Sequence, residues 1–136
     1  MNQSPILIIE DDEGIRAACR EILELEGFEV DVCENGKEAL KFLERHQEPC
    51  LILLDMMMPV MNGREFMEGF AKRPHTIVPI PVYLVSATAN QEAGMEMGCM
   101  GFLKKPFNIE ALLAIVRSHC KINNCKTKNG SPTPSV

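Results

Sequence analysis

Residues 50–63 read CLILLDMMMPVMNG, an apolar run that ends on the carboxylate of Asp55 and is followed by Pro59 and by the pair Asn62-Gly63. A short apolar run bounded by turn residues is typical of a strand buried on both faces, as in parallel sheets covered by helices. Asp55 is therefore predicted at the carboxyl end of such a strand. In open α/β sheets the loops at that end converge over a crevice, where ligands and chemistry collect.

Four more strand-like runs flank this one and alternate with helix-like segments. The other strands are predicted at residues 5–9, 28–32, 82–85 and 101–104. Apolar residues at three- and four-residue spacing predict helices from residue 15 to a stop at Gly27, over residues 37–45, 64–72 and 90–98, and after a capping Asn108. The segment 90–98 has room for little more than two turns, so the fourth helix is predicted to be short. The alternation predicts a doubly wound α/β fold, a five-stranded parallel sheet with helices on both faces.

The length and composition are those of a single domain with its own hydrophobic core, because the chain has 136 residues, of which 46% are hydrophobic. Residues 1–122 are predicted to form it, and residues 123–136, which lack an apolar period, are predicted to be a disordered tail or a truncated linker.

The net charge of −5 argues against direct nucleic-acid binding by this domain. With no apolar run of bilayer length and no leader at Met1, we expect a cytoplasmic protein without a membrane span.

Cysteine and histidine suggest no metal centre and no disulfide framework. The six cysteines form no CxxC pair and lie mostly in apolar patterns, so we expect buried, reduced thiols: Cys19, Cys33, Cys50, Cys99, Cys120 and Cys125. The three histidines stand apart from one another, at His46, His75 and His119, and no zinc site or His-based triad is readable.

Polar side chains follow four of the predicted strands. The first strand runs into Glu10 and Asp11, the third ends at Asp55, the fourth ends at Ser86, and Lys105 follows the fifth. In a parallel sheet these groups share one edge, where three crowded carboxylates repel unless one takes a proton or they share a cation. Mg²⁺ suits such hard oxygen ligands and leaves positions for phosphate oxygens. A lysine and a hydroxyl beside it would complete a pocket for a phosphoryl group.

Taken singly, each of these residues has an ordinary structural explanation. A carboxylate at a strand end is usually a helix cap or a solvated turn residue, and Asp12 is expected to cap the first helix. An acidic run such as residues 10–13 is usual in the first turn of a helix. Their joint occurrence at the ends of several strands is what favours a functional site.

Four motifs occur in a specific order: ILIIEDD, LILLDMMMPVMNG, VYLVSA and GFLKKPF. The second contains the pattern D-x-x-M-P-x-x-x-G, formed by Asp55, Met58, Pro59 and Gly63. With these motifs the chain resembles a response-regulator receiver domain of two-component signalling, of the chemotaxis-regulator-like kind, over about residues 5–120. The resemblance implies a flavodoxin-like sheet and a signalling phosphoacceptor rather than an enzyme, with self-catalysed phosphoryl transfer and slow autodephosphorylation only.

By the same resemblance, Asp55 is the phosphoacceptor, which attacks the phosphohistidine of a sensor histidine kinase or phosphotransfer protein. Mg²⁺ (or Mn²⁺) would be bound by Asp11, Asp55 and the backbone carbonyl of Met57, and by Glu10 through a water molecule. The output would be a downstream protein target or an output domain beyond the sequence in hand.

Three further residues receive roles from the resemblance. Lys105 would pair with phosphoryl oxygens, and the Lys105-Pro106 bond is expected to be cis. Ser86 would move to hydrogen-bond the phosphoryl group, and Phe102 occupies the aromatic switch position. Phe102 lacks a tyrosine hydroxyl, so packing alone would report its position.

One alternative to the phosphoacceptor stays open, and a second is disfavoured. The short fourth helix permits a pseudo-receiver, a phosphorylation-independent interaction module. An aspartate-phosphate hydrolase is disfavoured, because such enzymes need a second acid shortly after the nucleophile and only methionines and proline follow Asp55.

Overall fold

The five predicted strands form one parallel sheet in the computed structural model, which describes residues 4–45, 48–56, 61–73, 79–87 and 91–122. The sheet order is β2-β1-β3-β4-β5. The strands are β1 Ile6–Ile9, β2 Val30–Cys33, β3 Leu51–Asp55, β4 Val82–Ser86 and β5 Gly101–Lys104. The helices are α1 Glu13–Leu25, α2 Gly36–Arg45, α3 Gly63–Ala71, α4 Gln91–Met97 and α5 Ile109–His119. The doubly wound fold predicted from the sequence is confirmed.

The central strand β3 is buried along its whole length. Ile52 and Leu54 face one apolar cluster, which α2, α3 and α4 cover, while Leu51 and Leu53 face a second cluster covered by α1 and α5. A strand with apolar side chains on both faces has no solvent side to alternate with, which explains its continuous apolar run.

Three helix ends lie where the sequence places them. The Asp12 side chain accepts a hydrogen bond from the Ile15 backbone N–H at 3.0 Å and caps α1. The Asn108 side chain does the same for α5. Gly27 follows the end of α1 with a φ of 95°, a conformation that suits glycine.

Helix α4 has seven residues, whereas α3 has nine and α1 thirteen. The short fourth helix predicted from the sequence is therefore confirmed within the part of the chain that the structure describes. None of the described helices has the length and apolar character needed to cross a bilayer.

The expectation of reduced thiols is wrong for two cysteines. Cys50, just before β3, and Cys120, just after α5, form a disulfide with a Cα–Cα distance of 5.5 Å, although 70 positions separate them in sequence. Tertiary packing creates this pair, and no local spacing reveals it. Three cysteines are free and buried, as expected: Cys19, Cys33 and Cys99.

Several sequence predictions fall outside the described residues. They concern His46, His75, Cys125, the Met57 carbonyl and the tail at 123–136. His119 lies near the end of α5, where its ring Nε2 is 3.2 Å from the Tyr83 hydroxyl.

Candidate functional site

Asp55 is the last residue of β3 and its side chain is buried. The residue is 5% exposed and stands opposite Val85 of β4 in the register of the sheet. On the other side, Ile9 of β1 pairs with Leu54, so the residues that follow β1 and β3 leave the sheet together. The sheet therefore brings the ends of three strands around the Asp55 carboxylate.

Gly63 fixes the path of the chain after Asp55. Its backbone N–H donates to the Met56 carbonyl at 2.9 Å, so α3 begins against the end of β3. A Cβ at position 63 would lie 3.0 Å from the Asp55 carbonyl oxygen and 3.0 Å from the Met56 Cα. Because both of these neighbours are backbone atoms, they have little freedom to give way, and glycine is required for this close approach.

Three carboxylates meet at this edge. One oxygen each from Glu10, Asp11 and Asp55 can be chosen so that all three lie within 4.8 Å of one another. Glu10 and Asp55 are buried and Asp11 is exposed, so the group opens to solvent on one side. Asp12 serves as the helix cap instead. The cluster fits a hard divalent cation such as Mg²⁺, which takes carboxylate oxygens and retains water or phosphate ligands.

Lys105 supplies the positive charge inside the cluster. Its Nζ lies 3.0 Å from Glu10 Oε1 and 3.4 Å from Asp55 Oδ1. Burial alone would lower the pKa of Lys105, but its hydrogen bond to Glu10 and the charge of Asp55 raise it overall. The amine therefore stays protonated beside both acids.

Burial is the largest influence on Asp55 itself. Together with the charge of Glu10, it raises the pKa of Asp55 to about 7, and Lys105 opposes part of this rise. A cavity of about 20 Å³ lies under the two acids, lined by apolar groups that include Ile15, Leu53 and Phe107. In the metal-free protein the Asp55 carboxyl is therefore harder to ionise than an exposed aspartate.

Ser86 ends the neighbouring strand β4, and Phe102 lies near the start of β5. Ser86 closes β4 and is buried, and its carbonyl accepts a hydrogen bond from the Lys105 backbone N–H at 2.9 Å. The Lys105-Pro106 peptide bond that follows is cis, as expected. Phe102 lies opposite Leu84 on the edge strand β5 and is 39% exposed.

A sequence profile of the response regulator receiver domain matches residues 6–117. The chain belongs to this family. This receiver domain shares its fold, a five-stranded parallel sheet with helices on both faces, with the solved structures that it matches.

Curated relatives and solved structures agree with the assignment. The receiver domain is 34% identical to the transcriptional regulatory protein CpxR of Escherichia coli K12 and to the response regulator Rre1 of a Synechocystis strain. Each match covers 96% of this chain, which spans only 57% and 58% of those two proteins. Among structures, the chemotaxis protein CheY4 of Vibrio cholerae has a TM-score of 0.71 at 27% identity, covering 87% of this chain and 99% of CheY4. The Francisella response regulator 1452 receiver domain has a TM-score of 0.74 at 28% identity, covering 85% and 94%.

One contact of the receiver domain has no counterpart in the sequence analysis. Arg16, on α1, donates from Nη1 to the backbone carbonyl of Glu10 at 2.8 Å and to that of Asp11 at 3.3 Å. The sequence marks Arg16 only as one of several polar residues on an amphipathic helix. A basic residue one turn into a helix that follows an acidic loop is a signal that could have pointed to this contact.

Proposed function

We propose that this receiver domain accepts a phosphoryl group on Asp55 from the phosphohistidine of a sensor histidine kinase or phosphotransfer protein. A carboxylate oxygen of Asp55 forms the new O–P bond while the N–P bond of the donor breaks, and the imidazole nitrogen keeps the electron pair. The observation that carries the proposal is the buried Asp55 carboxylate, which contacts Lys105 and lies within 4.8 Å of two other acids.

The acidic cluster would hold Mg²⁺ or Mn²⁺. Asp11 and Asp55 would bind it directly, Glu10 through a water molecule, and the Met57 carbonyl, outside the described residues, is the fourth proposed ligand. When bound, the cation supplies positive charge that offsets the charge of phosphoryl oxygens.

The side chains of Lys105 and Ser86 would bind the oxygens of the phosphoryl group. The Lys105 ammonium, which contacts Glu10 and Asp55 in the unphosphorylated protein, would pair with phosphoryl oxygens once Asp55 is phosphorylated. The hydroxyl of Ser86, on the adjacent strand end, would donate to the same group. Such preorganised charges favour the phosphorylated state without acid-base chemistry.

The output signal would come from a change in the protein surface that a partner binds, rather than from catalytic turnover. Movement of Ser86 toward the phosphoryl group would free space that the half-exposed Phe102 ring fills, so the surface around β5 would differ between the two states. The partner is a downstream protein or an output domain; CpxR is a transcriptional regulatory protein longer than this chain. Water would return the acyl phosphate to the carboxylate slowly, and residues 1–122 would be the receiver domain.

Intact-mass measurement with acetyl phosphate and Mg²⁺ tests the proposal. We expect one added phosphoryl group on the wild-type protein and none on Asp55→Asn. Asp12→Asn is the matched control, because it removes a neighbouring acid yet keeps an oxygen that can cap α1. Phosphorylation of Asp55→Asn to the wild-type level would overturn the proposal.

The second candidate is a phosphorylation-independent interaction module, which the seven-residue α4 favours. Beryllofluoride with Mg²⁺ mimics the phosphorylated carboxylate. Amide shifts that spread from Asp55 to β4 and β5 would support the phosphoacceptor, whereas a spectrum that barely changes would support the constitutive module.

A further inference from the structure

Arg16 holds the backbone of the loop that carries two of the three clustered acids. Its guanidinium contacts the carbonyls of two consecutive residues, Glu10 and Asp11, at 2.8 and 3.3 Å. A charged donor to a carbonyl is stronger than a neutral one, and a single nitrogen that donates to two carbonyls restrains their relative position. The contact therefore holds the backbone of Glu10 and Asp11 and does not touch their carboxylates directly.

The same loop is restrained from three other directions. The Glu10 N–H donates to the Cys33 carbonyl at 3.1 Å, and the Asp12 N–H donates to the Glu10 carboxylate at 3.2 Å. Asp12 also caps α1. The first two contacts satisfy N–H donors of the loop and the third satisfies the Ile15 N–H of α1, whereas Arg16 bonds the carbonyl oxygens of Glu10 and Asp11.

We infer that Arg16 is a positioning residue for the cation site of this receiver domain: it presents Glu10 and Asp11 to the cation by holding their backbone carbonyls. The inference rests on the proposed function, since it concerns the same site. Groups that orient metal ligands commonly change metal affinity about 10- to 100-fold when they are removed.

The direction of the change in Mg²⁺ affinity distinguishes a positioning role of Arg16 from a purely electrostatic one. A guanidinium near a cation site repels the cation, so its removal would tighten Mg²⁺ binding if charge alone mattered. Loss of the two carbonyl contacts would instead loosen the loop and weaken binding. The two explanations predict opposite changes for Arg16→Met.

Arg20 offers a matched control on the same helix. It lies one turn further along α1, is about half exposed, and pairs with Glu24 at 3.2 Å. Arg20→Met makes the same chemical change and removes the same charge, but it leaves the carbonyls of Glu10 and Asp11 untouched. Arg16→Lys is the conservative variant, since it keeps the charge but carries its donor nitrogen on a shorter side chain.

The experiment is an Mg²⁺ titration of the full chain followed by amide and carbonyl NMR shifts. We expect the Mg²⁺ dissociation constant to rise about tenfold in Arg16→Met, by a smaller factor in Arg16→Lys, and by less than twofold in Arg20→Met. In the metal-free proteins, the carbonyl resonances of Glu10 and Asp11 should move in both Arg16 variants and stay in place in Arg20→Met.

Three results would overturn the inference. They are tighter or unchanged Mg²⁺ binding in Arg16→Met, equal weakening in Arg20→Met, or unmoved carbonyl resonances in the Arg16 variants. Normal wild-type binding together with any of these leaves the proposed function standing. A wild-type protein that binds no Mg²⁺ would overturn both, and phosphorylation of Asp55 is measured separately.

Discussion

At the scale of single residues, Asp55 meets two opposing demands. As the proposed phosphoacceptor it would have to be buried, so that the phosphoryl group is held away from bulk water, and ionised, so that it can attack phosphorus. Burial and Glu10 raise its pKa to about 7, and Lys105 counteracts them in part. The cluster is thus under electrostatic strain in the metal-free protein, and a bound cation would relieve it.

This strain makes the stability of the metal-free protein depend on pH. The folded pKa of Asp55, about 7, exceeds its ordinary value of 3.8, so the folded protein holds a proton that the unfolded chain has released between those values. The stability that this proton provides is present below about pH 4 and is lost as pH rises through 7.

Asp55→Asn removes the ionisation and should therefore stabilise the metal-free protein at high pH. We expect the variant to gain on the order of 2–4 kcal/mol over wild type at pH 8, and a much smaller gain at pH 4.5. Urea unfolding at the two pH values, in the presence of a chelator, measures the difference. A gap that does not widen as the pH rises would contradict the electrostatic account.

At the scale of elements, the start of α3 determines where the end of β3 lies. Gly63 is the contact point. A Cβ placed on Gly63 would lie 3.0 Å from backbone atoms of Asp55 and Met56. The capping box between Asn62 and Glu65 fixes the same helix end. The motif glycine is therefore explained by packing against the strand that carries Asp55.

Gly63→Ala tests this contact. We expect a loss of about 1–3 kcal/mol in the free energy of unfolding, because backbone atoms must shift to admit the methyl group, together with slower phosphorylation. Gly69→Ala is the matched control on α3, since its nearest neighbour is the movable Leu40 side chain. Chemical denaturation of both variants makes the comparison, and equal stability of the two would contradict the argument.

At the scale of the whole molecule, the sequence predicts the architecture well because its signals are local. Short apolar runs, helical spacing and the caps Asp12 and Asn108 each act within a few residues, and strand ends that share one edge bring Asp55 and Lys105 together. The Cys50–Cys120 disulfide escapes prediction because it depends on which surfaces meet after folding. The Arg16 contact spans only five and six positions, and it escapes because an amphipathic pattern places a polar side chain on the exposed face without identifying its partner. Periodicity identifies the buried face of a helix but not the partner of one side chain.

The end of α5 is joined to the body of the domain by several such long-range contacts. Cys120 bonds Cys50 before β3, and Arg117 pairs with Glu26 after α1 at 3.0 Å. A cross-link over 70 positions restricts the unfolded chain strongly.

Cys50→Ser should lower the free energy of unfolding by roughly 2–4 kcal/mol under non-reducing conditions. Reductant should bring the wild-type protein down to a similar value and leave the variant unchanged, which provides the internal control. Thermal or urea unfolding with and without reductant gives the four values. A wild-type protein that is insensitive to reductant would show that the disulfide does not contribute.

The most direct test of the central claim is to locate the phosphoryl group itself. After acetyl phosphate treatment with Mg²⁺, borohydride reduces an acyl phosphate to an alcohol, and peptide mass mapping then finds the altered residue. After the Cys50–Cys120 disulfide is reduced, trypsin releases residues 46–64, in which the only side-chain carboxylates are Glu48 and Asp55. We predict homoserine at position 55 in the wild-type protein; an unaltered Asp55 alongside modification at Asp11, Asp12 or any other residue would contradict the account.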